Sequence, residues 1–378
     1  MIRKLSVAAA LVGIVWSVGI LAQKGGGDET GPYDLVAGWP QNYCGEGHVI
    51  GSTAGIWAES PDRVYIFSRG CLPVIKETGG AANSFIPSRN ASGYDLAQKD
   101  TTRHPRWDHV FNVVDRNGKL IESWEQHNKL FVRPHRILVN PYDPDRHVWL
   151  VDDGAHAVYK FTRDGKTLVQ TIGTPMQPGN DATHFNRPTD VAWLPDGTFF
   201  VSDGYVNTRV VKFDKNGKFI MTWGEKGNEP TETRPNYMNT VHAIAIDKAR
   251  KIYISDRANS RVQVFDENGK FIRLIELEVG PGGPDLHFVY MDADRKLWVF
   301  DQVSQQLAQL DREGRLINAW GGLGSWAGAL FGVHGITVDQ EQNLYLAAVG
   351  RGGVQKFAPR KGANPAYLVG KLVYSAWK

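Results

Sequence analysis

Residues 188–224, "PTDVAWLPDGTFFVSDGYVNTRVVKFDKNGKFIMTWG", decide the fold. An apolar run from Pro188 ends at the turn "PDG", and a second run ends at Asp203. A short polar turn leads to "RVVKF", and "D-x-x-G-K" leads to a fourth run. These are short alternating strands joined by tight turns, in which glycine supplies the positive φ that other residues resist. The same grammar returns in "PHRILVNPYDPDRHVWLVDDGAHAVYKFTRDGKTLVQTIG" (134–173) and "VHAIAIDKARKIYISDRANSRVQVFDENGKFIRLI" (241–275). Weaker copies occupy 286–321 and 333–357. A further copy is split, with two strands in 52–70 and the rest in 110–124; the polar, Gly-rich residues between them read as a long loop over one face.

Strands of this pattern cannot bury a face alone, so neighbouring units must stack. Six copies at a period of roughly 45–55 residues predict an all-β, six-bladed β-propeller, and "SDRANSRVQVFDENGKF" and "SDGYVNTRVVKFDKNGKF" resemble NHL-type repeats. Either "YDLVAGWP" (33–40) or the C-terminal "AYLVGKLVYSAW" could supply the outer strand that latches the last blade.

The 378 residues carry 42% apolar and 22% charged side chains, the make-up of an ordinary globular protein. A formal net charge of +3 without a Lys/Arg run gives no footprint for a nucleic-acid or membrane-surface partner. Residues 1–22, with Arg3 and Lys4 ahead of an apolar run ending at Ala22, read as an export signal or a retained N-terminal anchor. Residues 23–32 read as a flexible linker and 33–378 as one propeller domain. The expected product is a secreted or periplasmic monomer, touching a membrane only through an uncleaved leader. Cys44 and Cys71 are the two cysteines; export would allow one disulfide, and the alternative is two unrelated buried thiols.

The informative residues are those the scaffold does not require. Each first strand of a propeller begins near the axis. That place carries His135, His242 and His334 in copies two, four and six, about 120° apart. Three imidazoles converging there would leave a metal with an open position, an arrangement that suits zinc. His287 occupies the same column in copy five, so a purely structural column of histidines is the alternative. His104, His109 and His127, in or beside the first-copy loop, read as solvated. Arg69, in "VYIFSRG", is read at the position of Asp203 and Asp256, and Arg257 one residue later, level with Gly204. Guanidinium forks there would bind a carboxylate, or else pair with a neighbouring aspartate. Tyr205 lies in a turn that needs no aromatic residue. Nearby guanidinium groups and a metal dication would favour its phenolate.

The ordered set Arg69 in "FSRG", His135 in "RPHR", Tyr205 in "SDGYVNTR", His242 in "VHAIAI", Arg257 in "SDRANSR" and His334 in "GVHGI" resembles peptidyl-α-hydroxyglycine α-amidating lyase. The resemblance implies that the three histidines hold zinc and that Tyr205 is the catalytic base. It also implies that Arg69 and Arg257 recognise the substrate and tune the base. The implied reaction splits a peptide ending in α-hydroxyglycine into an amide and glyoxylate. The family's aspartate after its last zinc histidine is Gly335 here, which puts its calcium in doubt. Arg136 replaces a glycine, with a charge able to stand in for that ion, and Val206 replaces a cysteine. No hydroxylating domain is recognisable in the sequence, so the substrate class extends to N-acylglycine derivatives. The rival expectation is a non-catalytic NHL propeller that binds protein or glycan. A calcium-dependent lactonase-like hydrolase would need carboxylates and amides where this chain has imidazoles.

Overall fold

The computed structural model describes residues 29–76, 84–85, 106–228, 232–276, 285–294, 296–324, 326–350 and 352–372. The leader, residues 23–28 of the linker, and His104 with most of the first-copy loop lie outside them. Six four-stranded antiparallel sheets form six blades. Their first strands are Thr53–Ser60, Pro134–Val139, Pro188–Trp193, Val241–Ile246, Leu286–Met291 and Val333–Val338. Each packs against the first strand of the next blade, and the sixth returns to the first, closing the ring. Among the described residues no helix is long and apolar enough to cross a membrane.

The blades follow the sequence pattern closely. First and second strands are buried almost throughout, whereas fourth strands such as Phe219–Trp223 alternate between covered and open positions. The "D-x-x-G-K" turns are held by their aspartate. Asp214 Oδ1 accepts from the backbone N–H of Asn216 at 2.9 Å and of Lys218 at 2.8 Å, while Gly217 sits at φ 84°. Asp266 and Asp311 repeat this arrangement.

The N-terminal strand Tyr33–Leu35 provides the latch, pairing antiparallel with Val354–Pro359 in blade six. The C-terminal segment instead packs over the latch: the Val369 N–H donates to Tyr33 Oη at 2.7 Å, and the Tyr290 hydroxyl donates to the Gly370 carbonyl at 2.9 Å. Cys44 and Cys71 form a disulfide with Cα atoms 5.7 Å apart. It fastens the segment before blade one to the chain just beyond Arg69.

One reading of the repeat needs correction. In blade one, Thr53 pairs with Ser68, as Pro188 pairs with Asp203 and Val241 with Asp256. Ser68, not Arg69, is therefore the counterpart of Asp203 and Asp256. Arg69 stands level with Arg257, one residue past the second strand. Blade one ends that strand without the usual aspartate, and this displaced the alignment by one place.

Replacing both Cys44 and Cys71 by serine should lower unfolding stability by roughly 3.5 kcal/mol, from the loop-closure entropy of a 27-residue separation. Denaturant titration with and without reductant measures it. Equal stability of the variant and the oxidised native protein would contradict a stabilising crosslink.

Candidate metal and catalytic site

Every first strand carries a β-bulge at its second residue, seen as a register shift across Ala54, His135, Thr189, His242, His287 and His334. A bulged residue has no cross-strand partner and its side chain is re-aimed. Here the bulges turn the histidines together. The ring centroids of His135, His242 and His334 lie 4.5, 4.8 and 5.1 Å apart, and one ligand nitrogen from each lies within 4.8 Å of the others.

Backbone carbonyls fix which nitrogen faces inward. His135 Nδ1 lies 2.6 Å from the Thr189 carbonyl, and His242 Nδ1 lies 2.6 Å from the His287 carbonyl. His334 Nδ1 is 3.4 Å from the Ala54 carbonyl. Each acceptor is the bulged residue of the next blade. A carbonyl only accepts, so each Nδ1 carries the proton and each Nε2 presents a lone pair. Burial, with Arg69 and Arg133 adding to it at His135, pushes these imidazoles well below the usual histidine range. They are neutral at pH 7, as ligation requires.

Tyr205 sits above them. Its hydroxyl is 3.1 Å from His135 Nε2 and 2.9 Å from His242 Nε2. A phenol has one proton, so it can satisfy only one of those two lone pairs. His334 Nε2 is buried without any hydrogen-bond partner. Two inward lone pairs therefore lack a donor, and a buried unsatisfied acceptor is costly. A divalent cation bound by three neutral imidazoles removes this deficit, and the donor set suits zinc. Gly204 makes the Tyr205 turn possible, because a Cβ at residue 204 would collide with the Val241 carbonyl.

The other expected residues are near. Arg69 is buried, donating its Nε–H to the Pro134 carbonyl at 3.2 Å, and among the described residues no carboxylate ion-pairs with it. Burial, with Arg133 nearby, pushes it down to about 10, still charged at neutrality. Arg257 is different: its Nε and Nη2 grip both oxygens of Asp285, so an aspartate already occupies much of its fork. Arg69 is thus the better-prepared carboxylate receptor, and Arg257 is held in place by Asp285.

At the Tyr205 proton, burial competes with the neighbouring guanidinium groups. Burial raises its pKa and Asp153 adds to that, against the opposing pull of Arg257, Arg133 and Arg69. The guanidinium groups act in the expected direction, but desolvation outweighs them. His287 is not in the clustered ligand set, although its ring lies 5.5 Å from that of His334; its Nδ1 is 3.0 Å from the Val333 carbonyl, and burial pushes it down to about 4. His127 is not a free solvated side chain, since its Nε2 lies 2.7 Å from the Gly165 carbonyl. His109 lies within 3.2 Å of Glu125. Arg136 lies buried, donating to the His334 carbonyl at 2.8 Å and to Asp190 at 3.1 Å. Its charge meets a backbone carbonyl and a carboxylate. At Gly335 a Cβ would come within 2.7 Å of the Ala54 carbonyl, so the packing leaves no room there for an aspartate.

Sequence reading missed Arg133, Asp153 and Arg187. The guanidinium groups lie 5.6 and 4.6 Å from the Tyr205 ring centroid, and both bond to Asp153 Oδ2. The available signal was the repeated frame "FVRP" (131–134) and "FNRP" (185–188), which puts Arg just ahead of two consecutive first strands.

No family model matches the chain. Among curated proteins, it is 31% identical over 231 residues to peptidyl-glycine alpha-amidating monooxygenase B of Xenopus laevis, covering 60% of this chain and 24% of that protein. It is 36% identical over 162 residues to peptidyl-alpha-hydroxyglycine alpha-amidating lyase 1 of Drosophila melanogaster, covering 41% and 29%. NHL repeat-containing protein 3 of Homo sapiens is 28% identical over 164 residues, covering 41% and 45%. The chain spans about a quarter of the length of the amidating relatives it matches first. Among solved structures, a streptogramin B lyase superposes with TM-score 0.50 at 11% identity, over 87% of this chain and 97% of that one, a likeness of fold alone. The chain is a six-bladed NHL-type propeller that resembles the α-amidating lyases in sequence.

The purified protein should retain about one equivalent of a divalent metal, as three imidazoles and one open position require. His334→Ala should reduce that to a small fraction while leaving the far-ultraviolet spectrum unchanged. Elemental analysis after gel filtration reads it; undiminished metal in the variant would contradict the site.

Proposed function

We propose that this protein is an exported zinc-dependent lyase that cleaves the C–N bond of α-hydroxyglycine-terminated peptides, or of N-acyl analogues, to give an amide and glyoxylate. The observation that carries this reading is the Tyr205 hydroxyl shared between two inward imidazole nitrogens while the third nitrogen has no partner. The similarity to proteins named as α-amidating lyases supports it. The disulfide supports an oxidising compartment, in keeping with residues 1–22 as an export leader and 23–32 as a linker to a monomeric propeller.

The chemistry follows from placement. Arg69, buried and without a carboxylate ion pair among the described residues, receives the substrate carboxylate through its guanidinium fork. Arg257, oriented by Asp285, adds a second cationic contact beside Tyr205. These contacts place the substrate's hydroxyl at the Tyr205 oxygen. Tyr205 takes the hydroxyl proton, the C–O bond becomes a carbonyl, and the electron pair of the C–N bond leaves with the amide nitrogen. That nitrogen receives the proton back from Tyr205, which restores the phenolate. The products are the carboxamide and glyoxylate, and no water is consumed. A zinc ion held by His135, His242 and His334 would supply Lewis-acid polarisation and favour the phenolate against the cost of burial.

Incubation with a peptide ending in α-hydroxyglycine should release glyoxylate. Release should disappear with a chelator and return with zinc. Tyr205→Phe should lower kcat by about 1,000-fold or more while retaining metal, as expected for loss of an acid–base group. Full turnover by Tyr205→Phe would remove the base from the scheme. A folded protein with neither metal nor release would leave a binding scaffold as the better reading.

A further inference from the structure

Asp153 follows Asp152 at the end of a second strand and is fully buried. Its two oxygens are used unequally. Oδ2 accepts from Arg133 Nη1 at 2.8 Å, from Arg187 Nε at 2.8 Å and from Arg187 Nη2 at 2.6 Å. Oδ1 has no hydrogen-bond partner. A buried carboxylate with an unsatisfied oxygen is costly unless its charge is paired, and Oδ2 makes those pairs. What it holds are the two guanidinium groups that lie over the Tyr205 ring, within the distance at which a cation is attracted to an aromatic face.

The backbone is shaped around the same arrangement. Asp152 accepts the Arg133 N–H at 2.8 Å and so fixes where that side chain starts. Residue 154 is glycine, and a Cβ there would come within 2.8 Å of Arg133 Cβ. Arg187 adopts φ 67°, a conformation disfavoured for a residue with a side chain. From it, the Arg187 carbonyl accepts the Tyr205 N–H at 3.3 Å while its guanidinium reaches over the ring of the same tyrosine. Arg187 therefore contacts Tyr205 through both backbone and side chain.

We propose that Asp153 is a positioning residue which, by gathering Arg133 and Arg187 on one oxygen over the Tyr205 ring, fixes the phenol with its hydroxyl facing the three inward imidazoles. The catalytic consequence rests on the lyase reading above; the immobilisation of the ring does not. Neither arginine donates to the phenol oxygen, so the part they share is to restrict the ring, while the charge of Arg133 also favours the phenolate. A residue acting in this way affects the geometry of the reacting atoms more than affinity for the substrate.

The test uses the full-length, metal-loaded protein with 3-fluorotyrosine at position 205. Asp153→Asn keeps the shape of the carboxylate and removes its charge. Because it could disturb folding, Arg187→Met and Arg187→Lys form a second set: Met keeps bulk without charge, and Lys restores a cation. In Asp153→Asn and Arg187→Met the fluorine resonance should move towards that of the free amino acid, and Arg187→Lys should recover much of the native shift. On the hydroxyglycine peptide, kcat should fall by about 100-fold with KM within about twofold, the scale expected when a reacting group is misplaced by about 1 Å. An unmoved resonance in both Asp153→Asn and Arg187→Met overturns the proposal whatever the substrate is. A native protein inactive on the peptide, with the resonance moving as described, sinks the lyase reading and keeps the positioning role.

Discussion

Six β-bulges, one at the second residue of each innermost strand, determine what this propeller can do. A regular strand would alternate its side chains between the two neighbouring blades. The bulge breaks that alternation once per blade and leaves one residue outside it. In blades two, four and six that residue is histidine, and in blades three, five and one the bulged residue supplies the carbonyl facing the preceding histidine's Nδ1. A six-fold scaffold is thereby used as a three-fold one. The ring that carries the imidazoles also selects their tautomer and aims their lone pairs before any ligand arrives, which is how preorganised sites avoid the cost of ordering at the moment of binding.

Around that centre, the charges divide by the partners they already have. Asp285 engages Arg257, and Asp153 engages Arg133 and Arg187. Arg69 alone of these is buried against a backbone carbonyl with no carboxylate in ion-pair range among the described residues. Only carboxylates beyond ion-pair range, Asp153 and Asp152, offset its charge, and a bound anion would offset it further. The same burial that makes Arg69 receptive also opposes ionisation of Tyr205. The two effects have one origin: burial makes an unpaired charge costly, whether cationic at Arg69 or anionic at Tyr205.

The fold was legible because strand alternation and the "D-x-x-G-K" turn recur with a fixed period, and each copy implies the same local backbone. The histidines were legible for the same reason, since a position counted from the start of a repeat is a position in space. Arg69 was placed one residue off because its blade lacks the aspartate that marks the end of the second strand elsewhere. The latch could not be chosen from sequence, as both termini offer apolar segments and only tertiary packing separates a paired strand from one lying across it. Asp153 and its two arginines escaped notice for a different reason. Their meaning lies in contacts between blades two and three, and a repeat alignment compares equivalent positions without showing which unequal ones meet. The electrostatic balance at Tyr205 was also out of reach, because burial is a property of the assembled ring.

The most direct measurement of the central claim is X-ray absorption at the zinc edge of the zinc-loaded protein. Three imidazole nitrogens at about 2.0 Å and one further light-atom ligand are predicted, the signature of three inward Nε2 atoms and an open position. A first shell made only of oxygen, or one with fewer than three imidazoles, would contradict the account.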